Sequence, residues 1–327
     1  MDKSLNEIDR QDMKKQPVNL REEKRKLWAV TRSCLEANTH KHKRYGGRRK
    51  SHWTLFERLN MIFGIFLKIV GLYARGHRNA KNVVITEVEI TFKNLPGSFH
   101  EYKILHLTDL HLDCVKGLEN IICEKIKDLN YDLCVITGDY REKIHGTFKQ
   151  ILTPMKRIAR AVEAQDGIWA VLGNHDSYLM VNPLEAMGIS VLTNETVSIS
   201  RGNEKIVVSG IDDPNCYYTD QALSCLEEDF DAFKIALVHS PELYDIAAKN
   251  DYDLYLCGHT HGGQICLPGG IPLITHVPHG KRYYRGLWQY HNMMGYTSQG
   301  CGSSGIPVRY NTHAEIALLT LKVKREN

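Results

Sequence analysis

The sequence predicts an α/β protein whose two sheets pack face to face with helices on their outer sides. Three observations predict it. Five short apolar runs, Ile104-Leu105-His106-Leu107, Leu133-Cys134-Val135-Ile136, Trp169-Ala170-Val171-Leu172, Ile235-Ala236-Leu237-Val238 and Leu254-Tyr255-Leu256-Cys257, have the length of buried strands. Stretches of helical period follow the early runs, with Leu118, Ile121, Ile122, Ile126 and Leu129 in one and Ile151, Met155, Ile158, Ala161 and Val162 in the next, as parallel crossovers require. A second set of strands is expected at 187–197 and 206–208, closed by the turn Ile211-Asp212-Asp213-Pro214.

Taken in order, the chain begins with a basic appendage. Residues 1–80 hold 19 Lys and Arg against 8 Asp and Glu, and the remainder holds 23 against 30, so the net charge of +4 conceals two parts of opposite sign. Residues 1–52 read as a basic, partly disordered tail in which 27–35 can form a short helix. Residues 53–80 read as an amphipathic helix. Its apolar run is interrupted by Lys68 and is shorter than the ~20 residues a spanning helix needs. Gly64, Lys68, Gly71 and Arg75 fall on one narrow face and apolar residues cover the others, so the helix needs an apolar partner on most sides. With Arg48-Arg49-Lys50 beside it, an interfacial membrane helix is the expectation, the alternative being packing on the domain or in a dimer. A nucleic-acid arm is disfavoured by the adjoining apolar helix, so no nucleic-acid partner is expected.

The domain proper runs over 81–327. It opens with a partly alternating strand at 83–90; residues 276–285 read as a loop near the cavity, and 286–321 as a meander completing the second sheet. Because metal-type residues begin only at Asp109, residues 1–75 are expected to be separable from hydrolysis of a soluble substrate. The composition, 43% hydrophobic and 24% charged, is that of an ordinary folded protein with a sizeable core. Nine cysteines contain no CxxC pair, and the first fifty residues hold no long apolar run, so a reducing, cytoplasmic location is expected.

Every apolar run stops at a polar cluster. These clusters are Asp109 with His111, Gly138-Asp139, Gly173-Asn174-His175-Asp176, His239, and Gly258-His259-Thr260-His261. In open α/β sheets, sites form outside the carboxyl ends of strands, so the five endings are expected to converge. His259 and His261 lie two residues apart in a turn flanked by glycines and can face one cavity; neutral imidazole is the commonest ligand for a divalent metal. Asp109, His111, Asp139, Asn174, His239, His259 and His261 oversupply one divalent ion and suit two ions that share a carboxylate, for which Asp139 on the middle strand is the natural bridge. Two ions ~3.5–4 Å apart activate water and stabilise in-line displacement at phosphorus. The mixed nitrogen and oxygen donors fit Mn, with Fe or Zn as alternatives, better than Mg or Ca.

The same residues, in this order over about 100–325, resemble the calcineurin-like metallophosphoesterases. The resemblance implies a four-layer αββα sandwich. It also implies that Asp109, His111, Asp139 and His261 hold a first metal, that Asp139, Asn174, His239 and His259 hold a second, and that His175 is a general acid near the leaving group. Arg141-Glu142-Lys143 and Leu172-Gly173-Asn174-His175-Asp176 depart from the pattern of the protein Ser/Thr phosphatases, which disfavours a phosphoprotein substrate. The ending Gly258-His259-Thr260-His261-Gly262-Gly263-Gln264, with Asp212-Asp213 and residues 300–309, is more similar to bacterial membrane-associated phosphodiesterases. That branch includes UDP-2,3-diacylglucosamine pyrophosphatases of the lipid A pathway, which release UMP and a lipid monosaccharide phosphate. This second resemblance implies a lipid-linked phosphate substrate, an anionic membrane surface met by Lys281, Arg282 and Arg285, and a peripheral location on the cytoplasmic face of the inner membrane. A phospholipid or a cyclic nucleotide is the alternative substrate. A non-catalytic scaffold would be expected to lack part of the ligand set or His175, and all are present.

Overall fold

The computed structural model describes residues 20–37, 41–44, 47–50 and 53–324, with side chains from residue 58 onward in the last segment. The disorder expected for residues 1–19 and the side chains of Arg48, Arg49 and Lys50 lie outside the described residues. Helix α1 (Leu20–Ala37), a hairpin of β1 (Lys41–Arg44) and β2 (Gly47–Lys50), and helices α2 (Trp53–Ile69) and α3 (Tyr73–Lys81) precede the first long strand. The chain continues through β3 (Val83–Phe92), β4 (Tyr102–Leu107), α4 (Leu118–Ile126), β5 (Leu133–Ile136), α5 (Lys149–Ala161), β6 (Ile168–Ala170), α6 (Val181–Glu185) and β7 (Ile189–Val191). It then forms β8 (Glu195–Arg201), β9 (Glu204–Ile211), α7 (Asp220–Leu226), β10 (Phe233–Val238), α8 (Tyr244–Lys249) and β11 (Leu254–Cys257). The short strands β12 (Cys266–Leu267) and β13 (Ile271–Pro272) pair with each other before β14 (Gly286–Tyr290), β15 (Met293–Thr297) and β16 (Ala314–Val323).

Two six-stranded sheets result, ordered β3-β16-β4-β5-β6-β7 and β14-β15-β11-β10-β9-β8. Side chains alternate across a strand with period two, and this sorts each buried strand between two cores. Ile104, Leu133, Val135, Ile235, Leu237, Leu254 and Leu256 meet in the core between the sheets. Leu105, Leu107, Cys134 and Ile136 face the other way, onto Leu118, Ile122, Ile151 and Met155 of α4 and α5. Ala236, Val238, Tyr255 and Cys257 face Ala222, Leu226 and Ala247 of α7 and α8. The layers are therefore helix, sheet, sheet, helix, the four-layer αββα sandwich, and burial on both faces explains why these strands read as unbroken apolar runs.

Two expectations about the sheets are corrected. The second sheet begins at β8, not at 187–197 as a whole, because β7 pairs parallel to β6 at the far edge of the first sheet. Likewise β14 and β15 complete the second sheet but β16 does not; it inserts between β3 and β4 in the first. Its sequence, AEIALLTLKV, carries apolar residues on both faces, and Ala317, Leu319 and Leu321 enter the inter-sheet core while Ile316 and Leu318 enter the helical one. A meander strand solvated on one side cannot satisfy that pattern.

The region before residue 81 also differs from expectation. The single helix over 53–80 is two helices meeting at 110°, broken where Gly71 adopts φ +73°, a left-handed conformation glycine reaches without penalty. Leu67 of α2 packs on Ile306 and Val308, and α3 is tied down by Asn79 Nδ2 donating to the Arg309 carbonyl at 2.9 Å. Met61, Ile62, Ile65, Phe66 and Val70 remain exposed, and Ile69 is 79% exposed. Among the described residues no single helix is long and apolar enough to cross a membrane.

Within the basic tail, α1 is longer than the short helix expected at 27–35 and is docked on the domain. Trp28 and Arg32, one turn apart, face inward. Trp28 Nε1 donates to Asp212 Oδ2 at 2.7 Å, the Arg32 guanidinium pairs with Asp212 Oδ1, and its Nη2 donates to the carbonyls of Gly173 and Asp176 at 3.1 and 2.9 Å. The charge is fully buried and lies 3.4 Å from the centre of the Tyr217 ring. Helix α1 is therefore packed into the domain through a buried ion pair. Removing one member of a buried ion pair leaves the other charge desolvated and uncompensated. Arg32→Ala should lower the free energy of unfolding by about 3–5 kcal/mol, read from the urea midpoint, with Arg32→Ala/Asp212→Ala falling well short of the sum of the two single losses. A loss near zero for Arg32→Ala would show that α1 does not hold the domain.

Candidate metal centre

The carboxyl ends of β4, β5, β10 and β11, and the turn after β6, deliver the polar clusters to one edge of the two sheets. Five of the side chains leave the strands on strained backbone: Asp109, His111, Asp139, His259 and His261 have φ between +39° and +71°. Such conformations persist where surrounding bonds over-determine them. Here Asp109 N donates to the Gly138 carbonyl and His111 N to the Asp139 carbonyl, both at 3.0 Å. His259 N donates to Asp109 Oδ2 at 2.9 Å. The Asp176 carboxylate accepts from the backbone N–H groups of Asp139, Tyr140 and Gly173 at 2.7, 3.0 and 2.8 Å, clamping the turn after β5 to the turn after β6. Glycine at 173 and 258 is a matter of space. A Cβ at either would stand 2.2 Å from a carboxylate oxygen, of Asp139 in one case and Asp109 in the other.

Three sets of donor atoms converge: Asp109, His111 and His261; His111, Asp139 and His175; and Asp139, His239 and His259, the atoms of each set lying within 4.8 Å of one another. His111 Nε2 is 3.2 Å from His261 Nε2 and 3.6 Å from Asp139 Oδ2. His239 Nε2 is 3.2 Å from Asp139 Oδ2, 3.1 Å from Asn174 Oδ1 and 3.2 Å from His259 Nδ1. The surroundings select the tautomers. His239 Nδ1–H donates to the Thr137 carbonyl at 2.7 Å and His111 Nδ1–H to the Arg141 carbonyl at 3.0 Å, which turns both Nε2 atoms into the site.

The charges are coupled through Asp139. Burial alone would raise its carboxyl, but the His239 and His175 imidazoles outweigh burial and hold it well below the usual range. Asp109 is raised, chiefly by burial. Burial disfavours a charged His111, yet the Glu142 carboxylate 3.0 Å from its Nδ1 carries it up to about 9. A buried group of two carboxylates and four imidazoles with carbonyl-fixed tautomers suits divalent cations of mixed nitrogen and oxygen preference. Asp109, His111, Asp139 and His261 would hold one ion, and Asp139, Asn174, His239 and His259 the other, with Asp139 common to both. Bound there, the ions would supply Lewis acidity at phosphorus and a lowered pKa for water.

All seven expected ligands and His175 are brought together. Lys281, Arg282 and Arg285 are not in this group: the Arg282 guanidinium lies over the Tyr283 and Tyr290 rings and that of Arg285 over Tyr284. Their loop serves the site through its backbone instead, since Thr260 Oγ1 donates to the Tyr284 carbonyl. Sequence reading missed several supports. Arg141, noted only as a departure from another family's pattern, donates through Nε to the His175 carbonyl at 2.7 Å. Asn215 meets His259 Nε2 at 2.6 Å, and Asp176 is the clamp described above. Only Asp176, inside a dense motif, carried a mark in the sequence.

Fold and site together define a metal-dependent phosphoesterase. Residues 102–263 match the family model described as calcineurin-like phosphoesterase. The uncharacterized metallophosphoesterase YkuE of Bacillus subtilis is 34% identical over 253 residues, spanning 72% of this chain and 85% of that protein. Phosphodiesterase YaeI of Escherichia coli is 29% identical over 235 residues, 67% of this chain and 82% of that one. A transmembrane protein with metallophosphoesterase domain from Bos taurus is 28% identical over 280 residues, 78% of this chain and 60% of that one. The chain belongs to the calcineurin-like phosphoesterase family.

Asp139→Asn keeps the shape of the side chain and removes the charge common to both donor sets. Elemental analysis of the purified variant should show metal depleted at both positions while the far-ultraviolet spectrum is unchanged. Two retained equivalents of metal would contradict the bridging role.

Proposed function

We propose that the chain hydrolyses a lipid-linked phosphodiester or pyrophosphate at a membrane surface, using two divalent ions, Mn in the first instance and Fe or Zn otherwise. The observation that carries the hydrolytic part is the sharing of Asp139 between donor sets on its two sides. Two ions bridged in this way suit displacement at a phosphorus bearing two ester groups, because one side can polarise the attacking water and the other the phosphoryl oxygens. His175 Nε2 stands 3.9 Å from Asp139 Oδ2, at the border of the donor sets, where a proton can be handed to the departing oxygen.

The exposed apolar face of α2 supports the membrane part. A helix that only packed on protein would bury Ile62, Phe66 and Ile69, and these are exposed. Arg58, Lys68 and Arg75 lie on or beside it, where each cation near an anionic leaflet is worth ~1 kcal/mol. The name of the bovine relative, a transmembrane protein, supports a membrane setting. Among lipid-linked substrates, UDP-2,3-diacylglucosamine, cleaved to UMP and a lipid monosaccharide phosphate, is the specific candidate that the motif resemblance brings forward. A phospholipid or cyclic nucleotide is the alternative.

The wild-type chain with Mn should hydrolyse bis(p-nitrophenyl) phosphate, chelation should abolish turnover, and a panel of UDP-2,3-diacylglucosamine, glycerophosphodiester and cyclic nucleotide should identify the natural class; inertness toward all of them with metal bound would refute the reading. General acid assistance is worth ~10²–10⁴-fold and less for an activated leaving group. His175→Ala should therefore slow an alkyl phosphodiester far more than a p-nitrophenyl ester, and equal losses would assign His175 a ligand or structural role. For the membrane part, Ile62→Asp with Ile69→Asp should reduce co-sedimentation with anionic vesicles and leave soluble phosphodiester hydrolysis intact. Undiminished vesicle binding by the double variant would remove α2 from the membrane contact.

A further inference from the structure

Beside the donor sets a cavity of about 370 Å³ opens between α2 and the site, lined among others by Met61, Ile65 and Lys68 of α2 and by Ile144, His175 and Ile306. Its size falls within the range of small-molecule sites, and its lining is mixed: the apolar side chains share it with Asn60, Tyr73, Ser304 and Glu142, whose carboxylate is already engaged by His111 and the Gly305 N–H. Helix α2 lies outside the residues that match the family model, as do Ile306 and Pro307 of the same lining. His175 belongs both to the cavity and to a donor set. A group leaving phosphorus on the His175 side therefore moves toward α2. Lys68, which in sequence interrupts the apolar run, lies on this wall with its ammonium 5.0 Å from the centre of the Tyr73 ring.

We propose that this cavity receives the departing half of the substrate, and that this half is an amphiphilic phosphomonoester: an apolar chain against Met61, Ile65 and Ile306, joined to a phosphate paired with Lys68. The inference rests on the phosphoester-hydrolysing reading above and deepens it by naming the side on which the chain lies. A chain that fills the cavity takes water from the Lys68 ammonium, and an anionic head offsets that loss where a neutral one does not. In the cleavage the water oxygen bonds to phosphorus and the bond from phosphorus to the bridging oxygen breaks. The electron pair stays on that oxygen as part of the departing phosphate, whose charge Lys68 balances, and the protons of the water pass to products and solvent.

Octyl phosphate, below its micelle concentration, is the probe, with inorganic phosphate as the arm that lacks the chain and octyl glucoside as the arm that lacks the charge. Calorimetric titration of the full Mn-loaded chain should give an affinity for octyl phosphate at least tenfold above either control, since each buried methylene contributes about fourfold. A Cβ at residue 64 would stand 3.9 Å from Ile306 Cγ2, an ordinary contact, so Gly64→Leu fills the cavity without a clash at its root. Gly64→Leu should lower the affinity for octyl phosphate about tenfold or more while inorganic phosphate binds as before, and Lys68→Met should lower it by as much while octyl glucoside binds as before. Both variants should keep the wild-type metal content and urea midpoint, which certifies their folding. Equal affinities for octyl phosphate and inorganic phosphate, or octyl phosphate binding unchanged in both variants, overturns the cavity assignment. Failure of the wild type to hydrolyse bis(p-nitrophenyl) phosphate overturns the hydrolytic reading instead, and the titration still decides the cavity.

Discussion

The Asp176 carboxylate is the interaction on which the rest of the site depends. It is buried, its acidity is lowered first by burial and then by the neighbouring Asp139 charge, and three backbone N–H groups still hold it in place. Those bonds fix the turn that carries Asp139 against the turn that carries Asn174 and His175. His175 N in turn donates to Asp139 Oδ1 at 2.9 Å. Without that clamp the left-handed backbone at Asp139 would relax, and the charge common to both donor sets would move away from the imidazoles.

Support for the same turns comes from three distant parts of the chain. Arg32 on α1 and Arg141 after β5 together cap the carbonyls of Gly173, His175 and Asp176. Asp212, after β9, compensates the buried Arg32, and the same loop supplies Asn215 to His259. The N-terminal extension thus has two different relations to the centre. Its first helix presents a buried charge and acts on the geometry of the ligands; α2 presents apolar side chains and shapes the approach to them. That division follows from side-chain chemistry, since Arg32 has satisfied partners for its guanidinium inside the domain, whereas the domain leaves Ile62 and Ile69 exposed.

Much of this was legible in the chain. A strand buried on both faces must be apolar throughout, so β4, β5, β10 and β11 stood out, and the abrupt change to Asp, His and Gly after each marked the site. The break between α2 and α3 was less legible, because Gly71 in an apolar helical pattern can be either a tolerated residue or a stop. For Lys281, Arg282 and Arg285 the sequence shows the charge and conceals the neighbours: the Arg282 guanidinium lies over the Tyr283 ring and that of Arg285 over Tyr284.

By itself the sequence determined the strands that end at the site and the polar clusters that close them, since apolar length and donor type are local properties; the layer count and the place of His175 came with the resemblance. Only the tertiary structure decided that β16 enters the first sheet, that β7 and β8 part company, that α1 belongs to the catalytic body, and that α2 faces His175 across a cavity. Each of these depends on which surfaces meet after the chain has folded back over a hundred residues or more, or on which partner a buried charge finds. Arg32 and Asp212, 180 positions apart, have no mark in either segment that names the other.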